Sequence, residues 1–261
     1  MKITLIGAGN VATSLGCALQ DAGCQIAMVY SRTENSASRL ASLLSVPYTI
    51  SFSELPADSD IYISVLADDA LLQYAPEIVK GREGAIFLHT AGSVSMDIWR
   101  LAGAENYGVL YPMQTFSQGK KVDWKSVPVF VEASALNVLQ IVGNVANKLS
   151  SNVRELNSED RCRLHIAAVF ACNFANRMMA ISASILNEIG VDFNVMMPLV
   201  KEMAGKLEVM SPQMAQTGPA RRNDRKIMND HLQILSSNED WYNMYKTVSD
   251  NILKSCGNDR L

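Results

Sequence analysis

Three groups of residues in this chain have the types and spacing to do chemistry. The first lies in Lys2 to Ala12, KITLIGAGNVA, where Gly7, Gly9 and Ala12 stand in a G-x-G-x-x-A spacing between an apolar run and helix-forming residues. Gly7 permits a tight turn, Gly9 removes the side chain that would block an approaching pyrophosphate, and Ala12 lets the helix pack close to the strand, so backbone N–H groups point at an anion. The order strand, glycine turn, helix is what separates a dinucleotide site from an ordinary glycine turn. The second group is Ser31, Arg32 and Thr33, at the end of the apolar run Gln25 to Tyr30. A carboxylate at this place bonds a ribose 2′-hydroxyl, whereas an Arg accommodates a 2′-phosphate. No carboxylate stands at the strand end and Glu34 comes later. The expected cofactor is therefore NADP rather than NAD, with Arg32 paired to the phosphate and Ser31 and Thr33 hydrogen-bonding it. The third group is His165 and Asn173, on one long helical run. Histidine is the side chain whose ordinary pKa suits proton transfer near neutrality, which makes His165 the candidate acid or base. Asn173 is the candidate for orienting an acceptor.

A scaffold must hold these groups, and the chain alternates short apolar runs with helical stretches. After the first two strands, Tyr48 to Ile50, Asp60 to Leu66, Ala85 to Leu88 and Asn106 to Leu110 read as strands, with helices at Glu34 to Leu44 and Ala70 to Val79. That order is an α/β fold with a doubly wound parallel sheet, in which ligands bind beyond the carboxyl ends of the strands. The loops expected to line a cofactor and substrate cleft are Leu66 to Asp69, His89 to Ser93 and Tyr111 to Thr115. Leu66, Ala67, His89 and Thr90 are candidate cofactor contacts. Asp68 and Asp69 are expected to cap the helix that follows. His89 has two readings, a cleft residue or a structural hydrogen bond at the strand end.

Val127 to Glu132 reads as a further strand, Ala133 to Leu149 as an amphipathic helix, and Val153 to Leu156 as a last short strand. From Ser158 onward the chain reads as all helical. One run extends to about Glu188 and is closed by Gly190, another runs from Pro198 through Met210, and two more follow the turn-rich link Ser211 to Ala220. On a helix turning about 100° per residue, His165, Val169, Cys172, Asn176 and Ala180 share a stripe with Asn173 at its edge, and Ile166, Phe170, Phe174, Met178 and Ile181 lie elsewhere. Both faces read as buried. The alternative for His165 and the asparagines is satisfaction within a helical core or a dimer interface. The division is 1–156 for the sheet domain and 157–261 for an all-helical C-terminal domain.

Lys and Arg number 23 against 26 Asp and Glu, a net charge of −3 that leaves no basic footprint for nucleic acid. No apolar run approaches the roughly 18 residues of a membrane span. With residue 3 already in the first strand, no leader segment is expected, and the protein is expected to be cytoplasmic. Cys17, Cys24, Cys162, Cys172 and Cys256 form no C-x-x-C pair and read as reduced thiols, and the 13 methionines read as core filling, so no metal site is expected.

GAGNVA at 7–12, HTAGS at 89–93, YPMQTF at 111–116, HIAAVFACNFANRM at 165–178 and TGPARRND at 217–224 carry a resemblance. Over nearly its whole length the sequence resembles a bacterial family that pairs a Rossmann-like domain with a helical domain of uncharacterised function. Members of that family are labelled NADP oxidoreductases of the deazaflavin-dependent type. More distantly it is similar to pyrroline-5-carboxylate reductase, 6-phosphogluconate dehydrogenase and their relatives, which place substrate between two domains and dimerise through the helical one. The resemblance implies cofactor binding at Gly7, Gly9, Asn10, Val11 and the Ser31 to Thr33 loop, and a helical domain that completes the cleft. Two departures stand out. Tyr111 occupies a position that is commonly His in the family, and Arg222-Asn223-Asp224 stands where Arg-Gly-Asp is usual. The relatives acting on hydroxy acids place a Lys and an Asn four apart on the long helix, but here Val169 precedes Asn173, which leaves His165 as the titratable candidate.

The expected function is that of an NADP(H)-dependent oxidoreductase acting on a small carbonyl or imine substrate, because the cofactor carries the hydride and the protein need only orient the acceptor and manage a proton. The alternatives are hydride exchange between NADP and a deazaflavin, and a non-catalytic NADP-binding sensor or assembly protein. A homodimer is expected, since Phe, Met and Leu occur on more than one face of the late helices.

Overall fold

A computed structural model of the chain describes residues 1–257. It falls into two compact units, Met1–Ala171 and the helical remainder from Cys172. The first unit begins β1 (Lys2–Ile6), α1 (Asn10–Asp21), β2 (Gln25–Tyr30), α2 (Glu34–Leu44), β3 (Tyr48–Thr49), β4 (Ile61–Ser64), α3 (Asp68–Val79) and β5 (Ile86–His89). It continues with α4 (Asp97–Leu101), β6 (Asn106–Pro112), β7 (Pro128–Ala133), α5 (Leu136–Leu149), β8 (Asn152–Glu155) and α6 (Ser158–Ala168). The eight strands form one sheet in the order β3-β2-β1-β4-β5-β6-β7-β8. Beyond β1 the order reverses direction and continues with β4, so a crevice opens at the carboxyl ends of these two strands.

The central strands read as unbroken apolar runs because helices cover both their faces. Ile3, Leu5, Ile61, Ile63 and Leu88 point into the core shared with α1, α2 and α5. Ile6, Tyr62 and Phe87 point to the other side, where Leu71, Ile78 and Trp99 meet them. The sheet departs from the all-parallel expectation at one place, for β7 runs antiparallel to β6, with Tyr111 opposite Phe130. A parallel return needs a crossover helix, and the connection between them contains only a short 3-10 turn, Trp124–Ser126. From β7 to β8 the helix α5 supplies that crossover, and the pairing is parallel again.

The second unit is helical: α7 (Ala175–Glu188), α8 (Met197–Lys206), α9 (Pro212–Ala215), α10 (Arg225–Ile234) and α11 (Glu239–Gly257). Gly190, at φ 69°, ends α7 as expected. The helix expected from about Asn223 starts two residues later, because Asn223 is left-handed and the Asp224 carboxylate accepts from the N–H of Ile227. Between α6 and α7 the backbone passes through a π-helical segment, Val169–Phe174.

The continuous helix Ser158–Glu188 is long and apolar enough to cross a membrane, by length and composition only. The expectation that nothing here approaches a span rested on uninterrupted apolar runs. Asn173, Asn176, Arg177 and Ser182 interrupt the run while leaving the average high.

Candidate functional site

The glycine turn sits at the end of β1, at the reversal of the sheet. Gly7 has φ 122°, and a Cβ there would lie 2.7 Å from the carbonyl oxygen of Val65, so the backbone of the β4 loop fills the space a side chain would need. Its N–H donates to the Tyr30 carbonyl at 2.8 Å. Gly9 is the residue before α1, and a Cβ added to it would meet nothing within 4 Å. No side chain caps α1 and no acidic residue stands in its first turn. An open approach, a positive helix end and no competing carboxylate fit a pyrophosphate on the N–H groups that follow Gly9, including those of Asn10 and Val11. The side chain of Asn10 has another task, since its Nδ2 donates to the Phe116 carbonyl at 3.2 Å. Together with Trp124 Nε1 donating to Ser14 Oγ at 3.1 Å, it straps the β6–β7 connection onto the start of α1.

At the end of β2, Arg32 is exposed and forms no ion pair among the described residues. Thr33 is the N-cap residue of α2, and its hydroxyl donates to Ser36 Oγ at 2.9 Å. Glu34 lies inside the helix and accepts from Tyr48 Oη at 3.2 Å. The carboxylate nearest in sequence is thus turned to a neighbouring strand, while a free guanidinium and three hydroxyls (Ser31, Thr33, Ser36) stand at the strand end. That donor set fits a phosphate.

Of the remaining strand-end candidates, Ala67 is the exposed N-cap residue of α3 and Leu66 is half-buried. Asp68 and Asp69 occupy the first turn of α3 and make no cap hydrogen bond, against expectation. Helix starts at Asp68 itself, so these carboxylates favour it through its dipole instead. Thr90 ties its N–H to the Ser64 carbonyl at 3.1 Å. His89 takes the structural option. Its side chain is completely buried beside Trp99, its Nδ1 accepts from the N–H of Ala91 at 3.2 Å, and Nε2 has no partner among the described residues. Burial first, and the Arg161 charge second, push its pKa down to about 3.

His165 meets two of these strand ends. Tyr111 lies within β6 rather than in the loop after it, and its Oη stands 3.1 Å from His165 Nδ1, the rings edge to face at 6.2 Å. On the other side a Cβ at Gly92 would fall 2.5 Å from the same nitrogen, so the imidazole packs directly on the backbone after β5. Tyr111 is 8% exposed and His165 is half-buried. Burial raises the Tyr111 pKa, opposed by the Arg161 charge.

Arg161 is the group that sequence reasoning missed. Its side chain is 1% exposed, and the guanidinium bonds the Glu132 carboxylate, the Val94 carbonyl and Ser158 Oγ. Glu132 in turn accepts from the N–H and the hydroxyl of Ser158, both at 2.8 Å. A carboxylate among the apolar residues of β7 was the available signal, but nothing in the sequence pairs it with an Arg 29 positions on. Asn173 is exposed and lies in the π-helical segment. A π turn closes on i+5 and inserts an extra residue, so positions along this segment are offset by about one place from a stripe drawn at a constant α-helical angle.

The first unit is therefore a nucleotide-binding fold of the doubly wound class with an imidazole at the same edge of the sheet as its glycine turn. Residues 2–88 match the family described as NADP oxidoreductase coenzyme F420-dependent, and residues 127–252 match a domain of unknown function, DUF2520. A Bacteroides fragilis protein provisionally named an NADP oxidoreductase is 42% identical, with 97% of this chain and 98% of that one covered at a TM-score of 0.92. The chain belongs to the same family, nicotinamide-dinucleotide-binding oxidoreductases with a Rossmann-like domain followed by helices. An imine reductase from Myxococcus stipitatus in complex with NADP+ shares the fold at 17% identity, with coverage of 99% and 93% and a TM-score of 0.68. A 1-pyrroline-5-carboxylate reductase from Streptococcus pyogenes does so at 12% identity, with coverage of 98% for both chains and a TM-score of 0.63. No curated protein sequence matches the chain.

Proposed function

We propose that this protein is an NADP(H)-dependent oxidoreductase acting on a small carbonyl or imine compound, with His165 as the group that gives or takes the proton. The observation that carries this reading is the position of His165, held between Tyr111 and Gly92 at the carboxyl edge of the sheet that also bears the glycine turn. Bound nicotinamide cofactor would supply or accept the hydride. The backbone from Gly7 to Val11 receives the pyrophosphate, Ser31, Arg32 and Thr33 receive the 2′-phosphate, and Leu66, Ala67 and Thr90 line the approach. Asn173, in the π-helical segment, is the candidate for orienting the acceptor.

Calorimetric titration of wild-type and Arg32→Ala protein with NADPH and NADH tests the cofactor assignment. Charge-assisted hydrogen bonds contribute about 1.5–3 kcal/mol, so Arg32→Ala weakens NADPH about 10- to 100-fold and NADH by less than about threefold. Equal losses for the two cofactors overturn the assignment. The description of the N-terminal match as F420-dependent favours one variant of the reaction, hydride exchange between NADP and a deazaflavin. Offering NADPH-loaded protein a deazaflavin and, separately, a cyclic imine distinguishes the two by which one consumes NADPH. If NADPH binds tightly and neither is reduced, a sensor role gains.

The helical unit is proposed to bind a second copy of the chain. Ile189, Leu199 and Val209 are 69%, 66% and 80% exposed within it, apolar surface that a second copy would cover.

A further inference from the structure

Resting on the oxidoreductase reading, we propose that Tyr111 is a positioning residue that holds His165 in the tautomer with its proton on Nε2 and resupplies that proton when Nε2 gives it up. Tyr111 is buried, and the partner its hydroxyl has among the described residues is His165 Nδ1, at 3.1 Å. If Nδ1 carried the proton, it would donate to Oη and leave the phenolic hydrogen buried with no acceptor, which costs about 1–3 kcal/mol. The satisfied arrangement has O–H donating to Nδ1, and neutral imidazole then carries its hydrogen on Nε2. Gly92 closes the remaining side of Nδ1 at a distance no Cβ could occupy, so the ring cannot rotate that nitrogen away without moving the β5 loop.

The tautomer selects a substrate class. Nε2–H is a donor, so it binds an atom with a free lone pair, a carbonyl oxygen or an unprotonated imine nitrogen, and does not bind an iminium, which has none. In the reducing direction the Nε2–H bond breaks as the new O–H or N–H bond of the product forms. The Tyr111 O–H bond breaks as Nδ1–H forms. Imidazole stays neutral with its hydrogen on Nδ1, and a phenolate is left in the neighbourhood of the Arg161 guanidinium. Water then protonates Nε2, releasing hydroxide, as the Nδ1 proton returns to the phenolate, which restores the starting tautomer. The same exchange runs backwards for oxidation.

The chain has three histidines, so 15N-histidine NMR of wild type, His165→Gln and Tyr111→Phe assigns His165 by subtraction. His231, whose Nδ1 bonds Tyr245 Oη at 2.9 Å in the other unit, serves as the internal control. At a pH where the ring is neutral, wild-type His165 shows an unprotonated, hydrogen-bonded Nδ1 and a protonated Nε2. In Tyr111→Phe the Nδ1 signal moves toward that of a free ring nitrogen and an Nδ1–H form appears, while His231 is unmoved. A protonated Nδ1 in wild type, or a pattern unchanged in Tyr111→Phe, overturns the proposal. Titrating the wild-type protein with NADPH keeps two failures apart. No binding removes the oxidoreductase reading whatever the tautomer, and binding with the wrong tautomer removes only the role of Tyr111.

Discussion

His89→Asn should flatten the acid dependence of stability in the sheet unit. His89 is buried and held neutral, with its pKa at about 3 against an ordinary 6.5. Because the folded value is the lower one, the unfolded chain takes up a proton as pH falls through 6.5 and the folded chain does not until about 3. The stabilisation is thus complete above pH 6.5 and is lost as pH falls toward 3, at about 1.4 kcal/mol per pH unit. Between pH 7 and pH 5 this one residue removes about 2 kcal/mol. Asn retains an acceptor near the N–H of Ala91, which now bonds His89 Nδ1. It leaves a cavity beside Trp99, and that cost does not vary with pH. The assay is urea unfolding at pH 7, 6 and 5 in a Trp241→Phe background, so that Trp99 and Trp124 report on the first unit alone. The difference between wild type and variant should shrink by about 2 kcal/mol from pH 7 to pH 5, since only wild type loses the His89 contribution. Parallel curves over that range would refute the reasoning, because they would mean that His89 titrates alike in the folded and unfolded chain.

Glu132→Ala leaves the Arg161 guanidinium buried without its partner and is expected to cost about 3–5 kcal/mol, read as a lower urea midpoint. A loss under about 1 kcal/mol would show that solvent reaches the pair. Light scattering at micromolar concentration is expected to give twice the 28.6 kDa of one chain, and a monomer would remove the proposal that a second copy covers the helical unit.

Much of the fold could be read from the chain because buried parallel strands announce themselves. Runs such as Ile61–Ser64, buried at every position, cannot be mistaken for loops, and Glu34–Leu44 was bounded correctly by its own composition. What could not be read depended on partners far away in sequence. The end of β6 looked like a loop from Tyr111 onward, yet pairing with β7 carries the strand through Pro112. Glu132 and Arg161 each look like a surface charge until the sheet and α6 come together. The glycine turn and the exposed Arg32 at the end of β2 could be placed from the chain because residues within a few positions set them. The contact of His165 with Tyr111 and Gly92 joins positions 54 and 73 residues apart. A helical projection could propose His165 but could not say what it would touch, and the π-helical segment shifts the phase of any projection that crosses it.

The buried ion pair and the imidazole are better understood together than apart. Arg161 and His165 are four residues apart on α6 and therefore lie on one face of it. The sheet-facing positions of α6 are Arg161, Leu164 and His165, so this helix brings little apolar surface to its contact with β6 and β7. Hydrophobic burial is indifferent to small rotations of a helix, whereas hydrogen bonds to Glu132, Val94 and Ser158 are satisfied in one orientation only. A pair that contributes little net stability once desolvation is counted can still fix an angle. Holding the guanidinium in place sets the rotation of α6, and one turn later that rotation delivers the imidazole against Gly92 and within reach of Tyr111. The Val94 carbonyl that Arg161 binds belongs to the same loop as Gly92, so one cation positions both the ring and the wall it rests on. Its charge also helps keep the neighbouring His89 neutral.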